Sequence, residues 1–278
     1  MRPGRLTLAS LLLAFAASIA AQTGTCAEME QFLRTARVGA QRNIPRGVTL
    51  PKRATLENGG LQHDAAIQTV DVTKQSFQTH RGTELNFRDY WGYNVAGYEL
   101  AKLLDLNMVA PYVARSIGGT AASFSWWIDD AMLEGERVQK NLQPPDPEAW
   151  NRQMYAVRVF NQLIYNTDDN LSNFLITKGW QIWMIDFSRA FRIPKTLLNA
   201  KNLTQCDRKL LGRLRTLDRP ALEQKLVKPR YLNRPELDGL LARRDKIVEF
   251  FDREIAAKGE AAVLYDLPRS GQPCGVGL

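Results

Sequence analysis

Asp168, Asn173 and Asp186 stand in one stretch, Tyr165-Asn-Thr-Asp-Asp-Asn-Leu-Ser-Asn-Phe-Leu-Ile-Thr-Lys-Gly-Trp-Gln-Ile-Trp-Met-Ile-Asp-Phe-Ser188. Phosphoryl transfer needs one carboxylate near the attacking hydroxyl, and a second carboxylate plus a neutral oxygen ligand to hold Mg2+ against nucleotide phosphates. Asp168 suits the first role, Asn173 and Asp186 the second. A metal-dependent hydrolase using Asp168, Asp169 and Asp186 is a competing reading, but it needs further carboxylate or histidine ligands, and the chain has only His63 and His80. Read alone, Asn166 to Asn170 is a helix-ending turn whose short polar side chains satisfy loop backbone groups. Asn173 and Asp186-Phe187-Ser188 shift the balance toward chemistry.

The neighbouring elements must bring these groups together. Asp146 is placed to cap a helix that opens on Pro147, with Trp150, Met154, Val157, Phe160 and Ile164 as its buried stripe. After the polar loop, Phe174 to Thr177 and Trp180 to Ile185, joined by Lys178-Gly179, predict a hairpin that returns Asp186 to the loop. Downstream the pattern is helical, and the last helix opens near Pro235 with Leu237, Leu240, Leu241, Val248, Phe251 and Ile255 on one side. Arg243, Arg244 and Lys246 are read as its wet face rather than a nucleic-acid patch.

Upstream, a short helix is expected over about 28 to 42, then strands at Val48 to Leu56 and Ala65 to Val72 around the turn Asn58-Gly59-Gly60. A helix follows from Arg88 to Leu106, with Tyr93, Ala96, Leu100, Leu103 and Leu104 as its stripe, and a hairpin joins Val109 to Ile117 with Ser123 to Ile128. Gln143-Pro-Pro-Asp-Pro147 marks a lobe boundary. Trp126, Trp180 and Trp183 are read as core or hairpin-face residues, and Trp127 as the one placed to stack on a ligand. His63 and His80 are read as structural.

The 278 residues are 45% hydrophobic and 24% charged, enough to bury a core, which excludes a disordered chain; no repeat or G-X-Y run supports a solenoid or collagen-like reading. The basic head Met1 to Arg5, the apolar run Leu6 to Ala17 and the small residues of Ser18-Ile19-Ala20 form a secretory signal pattern with cleavage expected after Ala20. Without Arg2 and Arg5, the net charge falls from +8 to about +6, and the excess is diffuse. No nucleic-acid partner is therefore expected, and no membrane span after cleavage. Cys26, Cys206 and Cys274 permit one disulfide, with Cys26 and Cys274 the expected terminal staple, and exclude a CxxC pair.

Asn166-x-Asp168-x-x-x-x-Asn173-Phe-Leu-Ile followed by Ile185-Asp186-Phe187-Ser188 resembles the catalytic and metal-binding loops of the protein-kinase-like superfamily. It is closer to the atypical branches, the phosphatidylinositol 3-/4-kinases, HipA-type bacterial kinases and secretory-pathway kinases, than to ordinary protein kinases. The resemblance implies a two-lobed α+β kinase-like fold with a small β-rich N-lobe and a mainly helical C-lobe. Its expected divisions are a signal peptide at 1–20, a helical extension at 21–44, an N-lobe at 45–129, a hinge and linker at 130–146, a C-lobe at 147–260 and a tail at 261–278.

By the same resemblance Asp168 is the catalytic aspartate, and Asn173 and Asp186 bind metal. Ser125-Trp126-Trp127-Ile128-Asp129 falls at the hinge, so Trp127, Ile128 and Asp129 are the expected nucleotide-binding residues, together with Gln68 on the strand of the phosphate-binding lysine. The cofactors implied are ATP and Mg2+, with Mn2+ as a substitute. The acceptor is unspecified, and a monomer in the periplasm or secreted is expected. The sequence departs from the pattern: Gln68 replaces the lysine, with Lys74 as a fallback, Asn94 replaces its helix glutamate, with Glu99 facing elsewhere, Asp169 stands where relatives often have Arg, and Arg46-Gly47-Val48-Thr49 carries a single glycine. An impaired, binding-only pseudokinase is thus the alternative to an active phosphotransferase.

Overall fold

The computed structural model describes residues 25–44, 51–79, 82–168 and 170–268. The expected leader, the Arg46 to Thr49 segment, His80, Asp169 and Cys274 lie outside them. A capping box between Thr25 and Glu28 opens helix α1 (Cys26–Thr35), which stops where Arg37–Asn43 becomes strand β1. The segment expected to be wholly helical is therefore helix plus edge strand, because β1 pairs with β2 (Lys52–Asn58). Strand β3 (Leu61–Gln68) follows across Gly59 and Gly60, whose φ values of 58° and 84° supply the left-handed turn that a two-residue hairpin requires.

Strands β4 (Asp71–Thr79) and β5 (Gly82–Tyr90) form a separate antiparallel hairpin. This corrects two expectations. The strand read as Ala65 to Val72 ends at Gln68, and Arg88 to Tyr90 belong to β5, so helix α2 begins only at Gly92 and runs to Leu103. The stripe of α2 is as expected, with Tyr93, Ala96, Leu100 and Leu104 buried. Next come β6 (Tyr112–Ile117) and β7 (Thr120–Trp126), which complete an antiparallel sheet in the order β1-β2-β3-β7-β6. Helix α1 covers this sheet, packing Met29, Phe32 and Leu33 with Ile67, Phe124 and Trp126.

The stretch expected as linker carries a short strand β8 (Met132–Leu133) and helix α3 (Glu134–Gln139). Helix α4 (Pro147–Ile164) starts as read from the sequence: Asp146 Oδ1 accepts from the N–H groups of Glu148 and Ala149, both at 3.0 Å. Strands β9 (Phe174–Ile176) and β10 (Ile182–Met184) form the expected hairpin, with β8 alongside β9. Beyond them lie β11 (Cys206–Asp207), α5 (Arg208–Thr216), α6 (Arg219–Leu222), the long α7 (Arg234–Lys258), α8 (Glu260–Val263) and β12 (Leu264–Tyr265). The segment expected as a tail thus begins with structure, since β12 pairs with β11. One core joins α2, α4, α5 and α7. Cys206 is buried and free, while Cys26 is disulfide-bonded.

Arg243 overturns its surface assignment. It is fully buried: Nε donates to the carbonyl of Leu163 at 2.8 Å, and Nη1 to those of Arg192, at 2.9 Å, and Pro194. Apolar periodicity does not reveal which face of a helix another segment covers, and here residues 192–194 lie across it. Burial pushes the guanidinium down to about 10, yet it stays charged at neutral pH and ties those residues to the end of α4. Arg243→Met leaves these carbonyls without their donor, and is expected to cost about 3 kcal/mol or more. Urea unfolding checks this: an unchanged midpoint would show that the buried cation is dispensable.

Candidate active site

Helix α4 ends on Tyr165 in the left-handed conformation, φ 49°, which turns the chain into the polar loop. Asp168 N–H donates to Asn166 Oδ1 at 3.1 Å and Thr167 Oγ1 to the Arg189 carbonyl at 3.0 Å. The first is the Asx-turn contact expected of such a loop, and the second ties the loop to the segment after Asp186. The side-chain amide of Asn173 then donates to the Asp168 carbonyl at 2.7 Å, while among the described residues its Oδ1 accepts only a long contact from Ser172 Oγ at 3.5 Å. The β9–β10 hairpin does the rest: Phe174 pairs with Met184, and Ile185 N–H donates to the Asn173 carbonyl at 3.0 Å, so Asp186 follows directly beside Asn173.

Asp186 is held in the left-handed region, φ 57°, a conformation that costs a non-glycine residue about 1 kcal/mol or more and needs compensation. Asn94 supplies it. From the buried face of α2 its Oδ1 accepts the Phe187 N–H at 2.7 Å, while its Nδ2 donates to Gln68 Oε1. Gln68 in turn hydrogen-bonds the Asp186 carboxylate. In place of a lysine–glutamate ion pair, neutral amides link β3 and α2 to Asp186. Phe187 packs edge-on to Phe160, 5.8 Å between ring centroids, and against Gly97, where a Cβ would fall 2.6 Å from its ring.

Burial raises the Asp186 carboxyl above its ordinary range, and the nearby Asp89 raises it further, against the opposing bonds from Ser188 and Gln68. Asp186 and Asn173 both line a cavity of about 370 Å3 under the sheet. Gln68, Trp127 and Ile128 line it too, as do Tyr112 and Glu136, but none of its lining residues is lysine or arginine. Asp129 is absent from that lining: it faces His63 Nε2 at 3.1 Å, and His63 stacks on Trp126 at 3.7 Å. Lys74 lies over Phe77 at 4.7 Å, away from this cavity, and Glu99 pairs with Lys102 at 2.9 Å.

Among the described residues no group of three or more His, Cys, Asp or Glu could hold a metal. The hydrolase reading therefore lacks a ligand set among those residues. The arrangement does fit a metal completed by nucleotide phosphates, because Mg2+ typically takes one or two carboxylates and leaves the remaining positions to phosphate and water. A buried carboxylate whose charge is unfavourable, beside an amide oxygen, is such a site. Asp168 lies outside this cavity, on the wall of a second one, where Arg189 Nη1 stands 3.8 Å from its carboxylate and Arg189 Nε donates to Asp89 at 2.9 Å. The sequence offered no sign of Asp89, which comes from β5; Arg189 had one weak sign, its place just after the Asp-Phe-Ser run.

No family description and no curated protein matches this sequence. Solved structures do match. A hydra Fam20 structure with sugar superposes with a TM-score of 0.60 at 12% identity, over 89% of this chain and 96% of that one. Golgi casein kinase does so with a TM-score of 0.60 at 13% identity, over 88% of this chain and 79% of that one, and a second structure of it holds Mn/ADP. At these identities the likeness is one of fold: the chain has a two-lobed, protein-kinase-like α+β fold.

Asp186→Asn separates the two consequences of a raised carboxyl. A folded-state value above the unfolded one means that the charged form penalises folding, a penalty absent below the ordinary carboxylate value and complete once the pH exceeds the raised one. The variant lacks it, so at neutral pH its ligand-free melting temperature is expected to rise by a few degrees, with the advantage over wild type vanishing in acid. A lower melting temperature at neutral pH would contradict the desolvated charge.

Proposed function

We propose that the protein is an ATP-dependent, Mg2+-requiring phosphotransferase of the atypical kinase group, moving the γ-phosphoryl group to a hydroxyl. The observation that carries this is that Asn173 and Asp186 line one cavity while Asp168, whose carbonyl accepts from the Asn173 amide, lines a second one next to it. Trp127 and Ile128 would flank the base, with Asp129 supporting that strand end through His63. Asn173 and Asp186 would hold the metal, which supplies charge neutralisation on the transferring phosphoryl group. Asp168 would orient the acceptor hydroxyl and take its proton. Gln68, bonded to the Asp186 carboxylate, and Asn94, bonded to the Phe187 N–H, would hold Asp186 in place.

Because no lysine or arginine among the described residues lines the first cavity, neutralisation would fall largely to metal; this favours a second reading, a nucleotide-binding pseudokinase. Export to the periplasm or the medium is part of the proposal. It is supported by the leader pattern and by the disulfide at Cys26, since such bonds persist in oxidising compartments. Among the described residues no helix is long and apolar enough to cross a membrane. A monomer with no nucleic-acid partner completes the proposal.

Thermal shift with ATP plus Mg2+ or Mn2+ is expected to exceed that with ATP and chelator. Asp168→Asn is expected to keep the metal-dependent shift while losing about 100-fold or more in phosphoryl transfer. A shift in the wild type with no ADP formation would select the pseudokinase, and no metal-dependent shift would refute both readings.

A further inference from the structure

The second cavity, about 690 Å3, lies across the Asp168 loop from the nucleotide cavity and shares no lining residue with it. The two meet through the bond from Asn173 to the Asp168 carbonyl. Its wall combines Asp168 with Arg189 and Arg192 from the segment after Asp186, and Glu84 and Arg88 from β5. A group seated there has the catalytic carboxylate on one side and guanidinium groups on the other.

Two of those guanidinium groups are incompletely bonded. Arg192 is only 8% exposed. Its Nη1 donates to the Arg88 carbonyl, its Nε faces Glu84 Oε1 at 2.7 Å outside hydrogen-bonding geometry, and its Nη2 has no partner. Arg88 Nε also has no partner, and the nearest carboxylates to its terminal nitrogens, Asp71 and Glu236, stand 3.9 Å away. Glu236 is engaged elsewhere, accepting from the Tyr93 hydroxyl and from Asn233 N–H. A buried donor without an acceptor is costly, and an arginine pair facing a cavity is the usual recognition element for an oxyanion. Burial also raises the Glu84 carboxyl, weakening the carboxylate that stands nearest Arg192; Asp89, the other acidic neighbour, is engaged by Arg189.

We propose that this cavity binds the phosphoryl acceptor, and that the acceptor is a small hydroxylated molecule carrying an oxyanion, a phosphate or a carboxylate, held by Arg192 and Arg88. The proposal rests on the phosphotransferase reading. With the anion so held, the hydroxyl meets Asp168. Its oxygen forms the new bond to the γ-phosphorus of ATP as the bond to the β–γ bridging oxygen breaks. The hydroxyl proton passes to Asp168, and ADP departs with the bonding electron pair. The cavity volume suits a small molecule, and the β4–β5 hairpin forms its outer wall.

Calorimetric titration of the full chain with inorganic phosphate and with acetate, at constant ionic strength, tests this with and without Mg2+ and a non-hydrolysable ATP analogue. One of the two anions is expected to bind in the millimolar range or tighter, which identifies the oxyanion class, and Arg192→Met and Arg88→Met are each expected to weaken it about tenfold. Arg88 is half-exposed, so its variant keeps the test open if Arg192→Met fails to fold. Binding of neither anion beyond a chloride control, or unaltered binding in both variants, overturns the proposal. So does ATP consumption that glycerol accelerates as much as glycerol 3-phosphate and glycerate do. Analogue binding without anion binding refutes the acceptor cavity alone; anion binding without analogue binding refutes the phosphotransferase reading and leaves the oxyanion site standing.

Discussion

Asn94 is fully buried on α2, and both ends of its amide are committed: one to the backbone after Asp186, the other to Gln68 on β3. The geometry of the site depends on this one side chain. Asp186 adopts a left-handed conformation that its own side chain does not favour, and the Phe187 N–H would lie unsatisfied in the core without the Asn94 oxygen. Gly97, one turn along the same helix, lets the Phe187 ring lie against the backbone. Helix α2 therefore sets the position of Asp186 by shape and neutral hydrogen bonds. A charged lysine–glutamate pair at these positions would add Coulomb attraction, but it would also have to be desolvated.

That neutrality carries an electrostatic consequence. The cavity under the sheet has Asp186 and Glu136 on its lining and no described lysine or arginine, so a phosphate group seated there would not be matched by described cationic side chains. The arginines lie on the other side of the Asp168 loop. Arg189 lies between Asp89 and Asp168, and Arg192 lies over the Phe87 ring at 5.3 Å, which anchors the β4–β5 hairpin to the segment after Asp186. Arg243 holds the far end of that segment from beneath. Guanidinium groups are thus gathered along residues 189–192 and their hairpin contacts, on the wall of the second cavity and not of the one that Asp186 lines.

Much of the site was legible because it is local in sequence. Loop, hairpin and Asp-Phe-Ser run follow one another, and a tight hairpin places its two ends together whatever surrounds it. The β4–β5 hairpin was hidden because Arg88 to Tyr90 lead without a breaker into the apolar stripe of α2, so helical periodicity extended backward into a strand. The role of Asn94 was misread for a different reason. As a residue type it registers only as the loss of a carboxylate, and its use becomes visible when Gln68 and Phe187 stand beside it. Arg243 was placed in water because a charged residue on an amphipathic helix usually is, and the segment that covers it is distant in sequence.

By itself the sequence determined the types of group available, two carboxylates and an amide at fixed short spacings, the caps and turns that start and stop α4 and the hairpins, and the absence of a lysine on β3. Those follow from backbone geometry and side-chain chemistry over a few residues. Only the tertiary structure decided that Gln68 and Asn94 form a bonded pair, that Asp129 turns toward His63, that Arg243 is interior, and that Asp168 lines a different cavity from Asn173 and Asp186. Each of these depends on which distant segment fills the space beside a side chain, and burial, which sets the energy of every charge and amide involved, is a property of that filled space rather than of any local run of residues.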